Sequence, residues 1–473
     1  MKEKSNREKL IEQETTLGIA PLLPQERKYG FLDAFLIISG YAIATWCYTQ
    51  GATVAGLLDF KQLIANTFGI NILVLAIVSL PILFSVRYGI DVWIWFRSIF
   101  GLNGCKVLTV LAVLANFPWY AVCAELFSSS MSNLVAMAGI IIPEPFQPFL
   151  GVGSILLGTA IALGGPTAIQ KSTRIMVPSM LGVGIIVVII AMTSVPTSEI
   201  LTYQPDLSAY PGGRQEAYMR ALELNIAFAF SWSVAMFVLP RLCKKEKQAY
   251  WATVTSYGVV APFFCFAGGV LAIAMFVKFG VMSDDPTYML ANLASPPVAL
   301  LSLVLVAFAN IGTQGVGSYM NALVLKSSFP KVKYNTFVFL LAAYVLVLTV
   351  WNKVIQYFSS FLAVETYLYA PIMAVLVVDF FFVKHQHLSL RDAYFLNSDR
   401  YRFTHGFNLI GLFSLVIGFV SALLIFNPIS GEIYSPIFYY VGASSVSFFT
   451  AGMVYLIACK TAPGKSYMKL DPK

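Results

Sequence analysis

The chain is poor in charge. Only 11% of its 473 residues are Asp, Glu, Lys or Arg, where a soluble domain carries about 25%. A solvated globular enzyme is excluded on that ground. Cysteine is scarce and unpatterned: Cys47, Cys105, Cys123, Cys243, Cys265 and Cys459 form no CxxC pair. That argues against a disulfide framework or a zinc ribbon. The three histidines, His385, His387 and His405, sit in one polar stretch, so the apolar runs hold no Ser-His-Asp arrangement and no zinc spacing. Residues 1–28 carry six Lys/Arg and lack the short apolar run of a cleavable signal. They read as a cytoplasmic tail.

What the sequence has instead is apolar length. Hydrophobic residues make up 58% of it, and several runs exceed the ~20 residues that cross a bilayer. The pattern predicts an all-α integral membrane protein with twelve spans. They fall at 31–58, 63–86, 105–131, 147–169, 174–195, 217–239, 251–279, 296–324, 335–352, 355–383, 407–426 and 436–459. Charge supports the count. Of 31 Lys and Arg, all but Lys61, Arg214, Arg220, Lys278 and Lys353 fall on one side of these spans. Such asymmetry marks the cytoplasmic side and puts both termini there. The formal charge of +8 then faces anionic headgroups, with no nucleic acid needed. A multi-pass protein of a cell (inner or plasma) membrane follows, with no obligate protein partner and no cofactor evident.

Two spans look unlike lipid-facing helices. The first contains SGYAIATWCYTQGATVAG (39–56), rich in glycine and hydroxyls; the sixth contains AFAFSWSVAMFVLPR (227–241). Interrupted helices in corresponding places of two halves point to an inverted-repeat transporter with a mid-membrane site. The halves run over 29–195 and 196–383, followed by a loop with two more helices (384–459) and a cytoplasmic tail (460–473).

Five stretches in order carry a more specific likeness. They are LPQERKYG (23–30), RYGIDVWIWFRSIFGLNG (87–104) as the loop after the second span, NFPWYAVC (116–123), TQGVGSYMNAL (313–323) with SSFPK (327–331), and APIMAVLVVDFF (370–381). Together they resemble the nucleobase:cation symporter family one, the cytosine, purine, allantoin and hydantoin permeases, over roughly residues 20–460. The resemblance implies the leucine-transporter fold, with a five-plus-five inverted repeat and two C-terminal helices. It also implies a small planar heterocycle bound between helices one, three, six and eight, stacked on aromatics. Sodium or a proton would be the co-transported ion, and there would be no enzymatic chemistry.

On a helix, Asn116, Trp119 and Cys123 share one face. Trp119 offers a π-face to a planar ring, and Asn116 both donates and accepts. Pro118 predicts a bend beside them. Trp232 is the natural second aromatic wall, with Phe228 or Phe230 as substitutes, and Ser231 and Ser233 add hydroxyl or backbone contacts; an ungapped family alignment through Arg241 puts Ala229 at the aromatic position. By the family likeness, Gln314 falls on a base-binding position of helix eight, with Gly317 on the same face. Thr313 falls on one of two sodium-binding hydroxyl positions, the other being Gly312 here. Carbonyls of helix one at Gly40, Ile43 and Ala44 would complete that site. Glu125 and Glu365 are ionisable groups inside spans, and either could carry a proton. Asp379 reads as a structural or gating contact with a basic loop. GPTAIQKSTRIMVPS (165–179) reads as a turn between spans four and five. An amino-acid or amine transporter of the same fold is the nearest rival; a receptor would need a soluble output domain, and a channel a filter motif such as TVGYG.

Overall fold

The computed structural model describes residues 21–27, 29–234, 236–237, 240–394 and 400–469. Most of the expected N-terminal tail lies outside them. The first span divides at its hydroxyl-rich centre. Helices α1 (Phe31–Ala42) and α2 (Trp46–Ala55) meet at 68°. Ile43 turns extended at φ −83° and ψ 104°. Backbone bonding skips there: Ile43 N closes onto Ser39, and the next bonds run from Cys47 N to Ala44 and Tyr48 N to Thr45. The carbonyls of Gly40 and Tyr41 thus lose the N–H groups that a continuous helix would give them.

Helix α3 (Phe60–Val78) opens on Asp59, whose carboxylate accepts from Gln62 N at 2.8 Å while the Gln62 side chain accepts from Asp59 N. This reciprocal cap satisfies two terminal donors. The stretch expected as a loop at 87–104 instead holds a helix over Val92–Phe100. Trp93, Trp95, Phe96, Ile99 and Phe100 on it are buried, so its aromatic content serves packing rather than solvation. The third span is α4 (Leu102–Asn116) and α5 (Pro118–Met137), joined at Phe117. Pro118 has no N–H to continue the ladder, and the helix restarts on it.

Helices α6 (Gln147–Gly164) and α7 (Pro166–Ser194) follow. The expected turn over 165–179 is corrected to a single residue. Gly165, at φ 72°, reverses the chain, Pro166 starts the next helix, and the remainder is helical. Helix α8 (Gly213–Ser231) stops at a tight 3-10 turn over Trp232–Val234, so the sixth span also breaks. Then come α9 (Glu246–Thr255), a π-helical turn over Ser256–Val260, α10 (Ala261–Phe279) and α11 (Pro296–Ser328). Last are α12 (Tyr334–Trp351), α13 (Phe358–Val378), α14 (Leu409–Leu423) and α15 (Ala443–Lys460).

Among the described residues nine helical stretches are long and apolar enough to cross a membrane, ten with the bent α1–α2 pair. The expectation was twelve. Helix α8 misses because Arg214, Glu216, Arg220 and Glu223 crowd its first half. Helix α14 misses because it has only 15 residues.

The helices pack as two groups. In one, α2 lies along α10, α3 along α8, and α1 along α9; in the other, α5, α6, α11 and α12 pack on one another. The α2–α10 contact is backbone-close. A Cβ on Gly51 would meet the Cys265 carbonyl, and one on Gly268 the Tyr48 backbone. Small residues permit that approach where lipid gives no hydrophobic drive. Helix α13 packs along α8, sets Phe358 and Phe361 against Trp119 of α5, and carries α14 and α15 behind it. At the end bearing the basic loops, Asp379 accepts from Lys384 Nζ at 2.8 Å, Tyr455 Oη at 2.8 Å and Trp95 Nε1 at 3.3 Å. The expected contact of Asp379 with a basic loop is therefore present.

Candidate functional site

Both helix breaks deliver a tryptophan to the same place. Trp46 opens α2 directly after the first break. Trp232 follows α8 directly at the second. Trp119 is the second residue of α5, directly after the Pro118 restart. The ring centroids of Trp46 lie 5.3 Å from Trp119 and 6.4 Å from Trp232. Phe358 and Phe361 of α13 stand edge-on to Trp119, at 5.4 and 5.3 Å. Phe228 stands edge-on to both Trp119 and Trp232. Tyr257, in the π-helical turn, stacks on Trp232 at 4.6 Å, which fixes that indole from behind.

Tyr41, Trp46, Asn116, Trp119, Tyr120, Ser231 and Trp232 enclose a cavity of ≈ 20 Å³, room for about one water. The groups that line the cavity come from both packed groups of helices.

The polar edge of the cavity is organised by Glu365 of α13. Its Oε2 accepts from Trp119 Nε1 at 2.8 Å, and its Oε1 accepts from Asn116 Nδ2 at 3.4 Å. Tyr369, one turn on, donates its hydroxyl to the Ala112 carbonyl at 2.6 Å. Glu365 is 1% exposed. An ionisable side chain that deep is costly unless it is paired or used.

The other expected residues distribute differently. Ser231 lines the cavity, its hydroxyl donating to the Phe228 carbonyl at 2.7 Å. Cys123 is fully buried beside Thr45 of the first break, off the cavity wall. Phe230 turns away: its ring faces Phe448 of α15 at 5.9 Å and lines an apolar groove on the far side of α8. Gln314 presses on Gly158 of α6, where an added Cβ would strike its Cγ, and its amide atoms find no partner. Gly317 seats the ring of Tyr120, which occupies the space a Cβ would need. Thr313 Oγ1 donates to Met176 Sδ at 3.6 Å. Thr45, in the break, donates its hydroxyl to Asn310 Oδ1 of α11. Glu125 lies away from the rings, accepting from Val354 N at 2.8 Å and Ile355 N at 2.9 Å. It anchors the segment that leads into α13.

Trp46 and Tyr41 were not singled out by sequence reasoning, although both lie in the quoted 39–56 stretch. Their signal was position: each flanks the break that the glycines and hydroxyls marked.

Beyond the rings, away from the basic loops, a larger chamber of ≈ 420 Å³ is lined among others by Thr53, Glu223, Ala227, Asp284, Ser360 and Ala363. Burial pushes the Asp284 carboxyl up to about 6, against the Thr53 hydroxyl that favours its charge.

A family profile described as permease for cytosine/purines, uracil, thiamine and allantoin matches residues 21–450. A purine-uracil permease NCS1 of Arabidopsis thaliana is 23% identical over 475 aligned positions, covering 94% of this chain and 77% of its own length. Among solved structures, the inward-facing conformation of Mhp1 superposes with a TM-score of 0.76 at 18% identity, over 96% of this chain and 97% of that one. Mhp1, a nucleobase-cation-symport-1 family transporter, is also similar in a closed conformation with bromovinylhydantoin bound. There the TM-score is 0.70 at 19% identity, over 95% of each chain.

Proposed function

The chain belongs to the family of permeases for cytosine/purines, uracil, thiamine and allantoin, and from that membership we propose that it imports a nucleobase or related small planar heterocycle by cation symport. The fold is leucine-transporter-like, a fold of transporters and not of enzymes. One observation carries the substrate reading. Trp46, Trp119 and Trp232 converge where two helix breaks face each other, with Asn116 and Glu365 along one edge. Flat π-faces bind flat rings, and an amide next to a carboxyl group matches a mixed donor-acceptor edge. A charged Glu365 repels an amino-acid carboxylate.

For the coupling ion the reading favours a proton taken up at Glu365. Charged, Glu365 accepts from Trp119 Nε1 and Asn116 Nδ2; protonated, it offers a donor to the substrate edge. Loading the proton and loading the ring would then favour each other, which is what symport requires. A second reading rests on the carbonyls freed at Gly40 and Tyr41, near Ile43 and Ala44. These could hold sodium together with Thr313, although Thr313 is bonded to Met176 and Gly312 supplies no hydroxyl. The reading extends to a cell (inner or plasma) membrane with both termini and the basic loops in the cytosol, an orientation that the charge split supports.

The experiment is uptake into proteoliposomes against a panel of bases, ureides and amino acids. Uptake of at least one base or ureide is expected, lost in Trp119→Ala. Amino-acid uptake with no heterocycle uptake would overturn the reading.

A further inference from the structure

One buried cluster takes no part in the site between the bundles. Four carboxamides meet inside a single bundle: Gln50 of α2, Asn66 and Asn71 of α3, and Asn225 of α8. None is more than 1% exposed. Gln50 Nε2 donates to the Leu224 carbonyl at 3.2 Å and to Asn225 Oδ1 at 3.5 Å. Asn71 Nδ2 donates to the Thr67 carbonyl at 2.8 Å and to the same Asn225 Oδ1 at 3.2 Å. Asn225 Nδ2 in turn donates to Asn66 Oδ1 at 2.7 Å.

This arrangement leaves acceptors stranded. Gln50 Oε1, Asn71 Oδ1, and the hydroxyls of Thr49 and Thr67 have no hydrogen-bond partner, and Asn66 Nδ2 has none either. Buried polar atoms are almost always satisfied, by protein, water or an ion. The two amide NH₂ groups stand between three oxygens, those of Leu224, Thr67 and Asn225. They occupy the place that a small cation would take. Half-turns of the Gln50 and Asn71 amides would turn their oxygens toward Asn225 Oδ1, the oxygen both amides now contact.

We propose that this cluster is a binding site for a sodium-sized monovalent cation, separate from any ion coupled to transport. The oxygens are neutral amides and backbone carbonyls, which replace the hydration shell of a monovalent ion; divalent ions are drawn by carboxylates. Helices α2, α3 and α8 all belong to one bundle, so the ion fastens members of that bundle to each other. It stabilises the fold and is not carried across. Asn66 Nδ2 would bond a water that completes the shell.

The test uses the full-length protein in detergent, with the unfolding midpoint followed in sodium gluconate and in choline chloride at equal ionic strength. A saturable rise with sodium, absent with choline chloride, is expected. Gln50→Leu and Asn71→Leu abolish it, whereas Thr313→Val retains it. Gln50→Glu keeps an oxygen and adds a charge, so half-saturation moves to at least roughly tenfold lower sodium; this variant decides the matter if the leucine variants fail to fold. The proposal is overturned by a wild type that does not respond to sodium, or by a rise that follows chloride. It is equally overturned by an unaltered response in Gln50→Leu, no shift in Gln50→Glu, or loss of the response in Thr313→Val. Heterocycle uptake driven by a pH gradient is a separate readout, so failure here leaves the transport reading untouched.

Discussion

Glu365 of α13 and Trp119 of α5 are joined across the two halves of the molecule, the indole N–H donating to the carboxyl oxygen at 2.8 Å. The bond ties the group best placed to titrate to the ring best placed to stack. A change in either is felt by the other, because the same carboxyl group also holds Asn116.

Trp46 and Trp119 are the first pair to remove. Stacking of a base on an aromatic side chain is worth about 1–3 kcal/mol by alanine substitution. Trp46→Ala and Trp119→Ala should each weaken heterocycle binding by roughly 5- to 150-fold. Phe230→Ala, whose ring faces Phe448, should leave affinity near that of the wild type. Equilibrium binding of radiolabelled substrate to purified protein checks all three.

Glu125 should matter for stability and not for coupling. Its two oxygens take the N–H groups of Val354 and Ile355. Glu125→Ala leaves two donors unpaired, at a cost of about 1–3 kcal/mol, seen as a lower unfolding midpoint. The ratio of ion to substrate carried should not change, as measured by parallel pH-dye and uptake recordings.

Asp284 gives the outer chamber a pH response. Burial lifts its carboxyl to about 6, above the ordinary value of about 3.9. The folded state therefore holds the proton more tightly than the unfolded chain. The stability Asp284 contributes is full below its unfolded value and is lost as pH rises through about 6. Asp284→Asn should flatten that part of the stability profile and gain on the wild type above pH 6. Unfolding midpoints between pH 4 and 8 test it; a profile identical to wild type contradicts the assignment.

The sequence made the breaks legible, because glycine and hydroxyl residues inside an apolar run have few other uses. The pairing of Asn116 with Trp119 was also visible, since spacing and Pro118 define a face without knowledge of the neighbours. Which neighbour each face meets was not visible. Gln314 shares a helix face with Asn310 and Thr313, yet the chain packs it on Gly158; only the glycine on the partner helix makes that seat. Phe230 and Phe228 are equivalent by composition, and the stop at Ser231 decides which turns inward. The sixth span was read as 217–239, but helix α8 starts earlier, at Gly213, because its outer turns carry charges that find partners, as Arg220 does with Glu216 at 2.7 Å. Glu365 was readable as an ionisable group in a span, but its bonds to Trp119 and Asn116 join residues 246 and 249 positions apart in the chain.

The most direct measurement of the central claim is heterocycle accumulation in proteoliposomes under an imposed pH gradient, with sodium equal on both sides, for wild type and Glu365→Gln. The wild type should accumulate substrate. Glu365→Gln, which can still accept from Trp119 but cannot titrate, should exchange substrate at a rate within about threefold of wild type and fail to accumulate it, a loss of at least roughly tenfold. Accumulation by Glu365→Gln equal to that of the wild type would contradict the account.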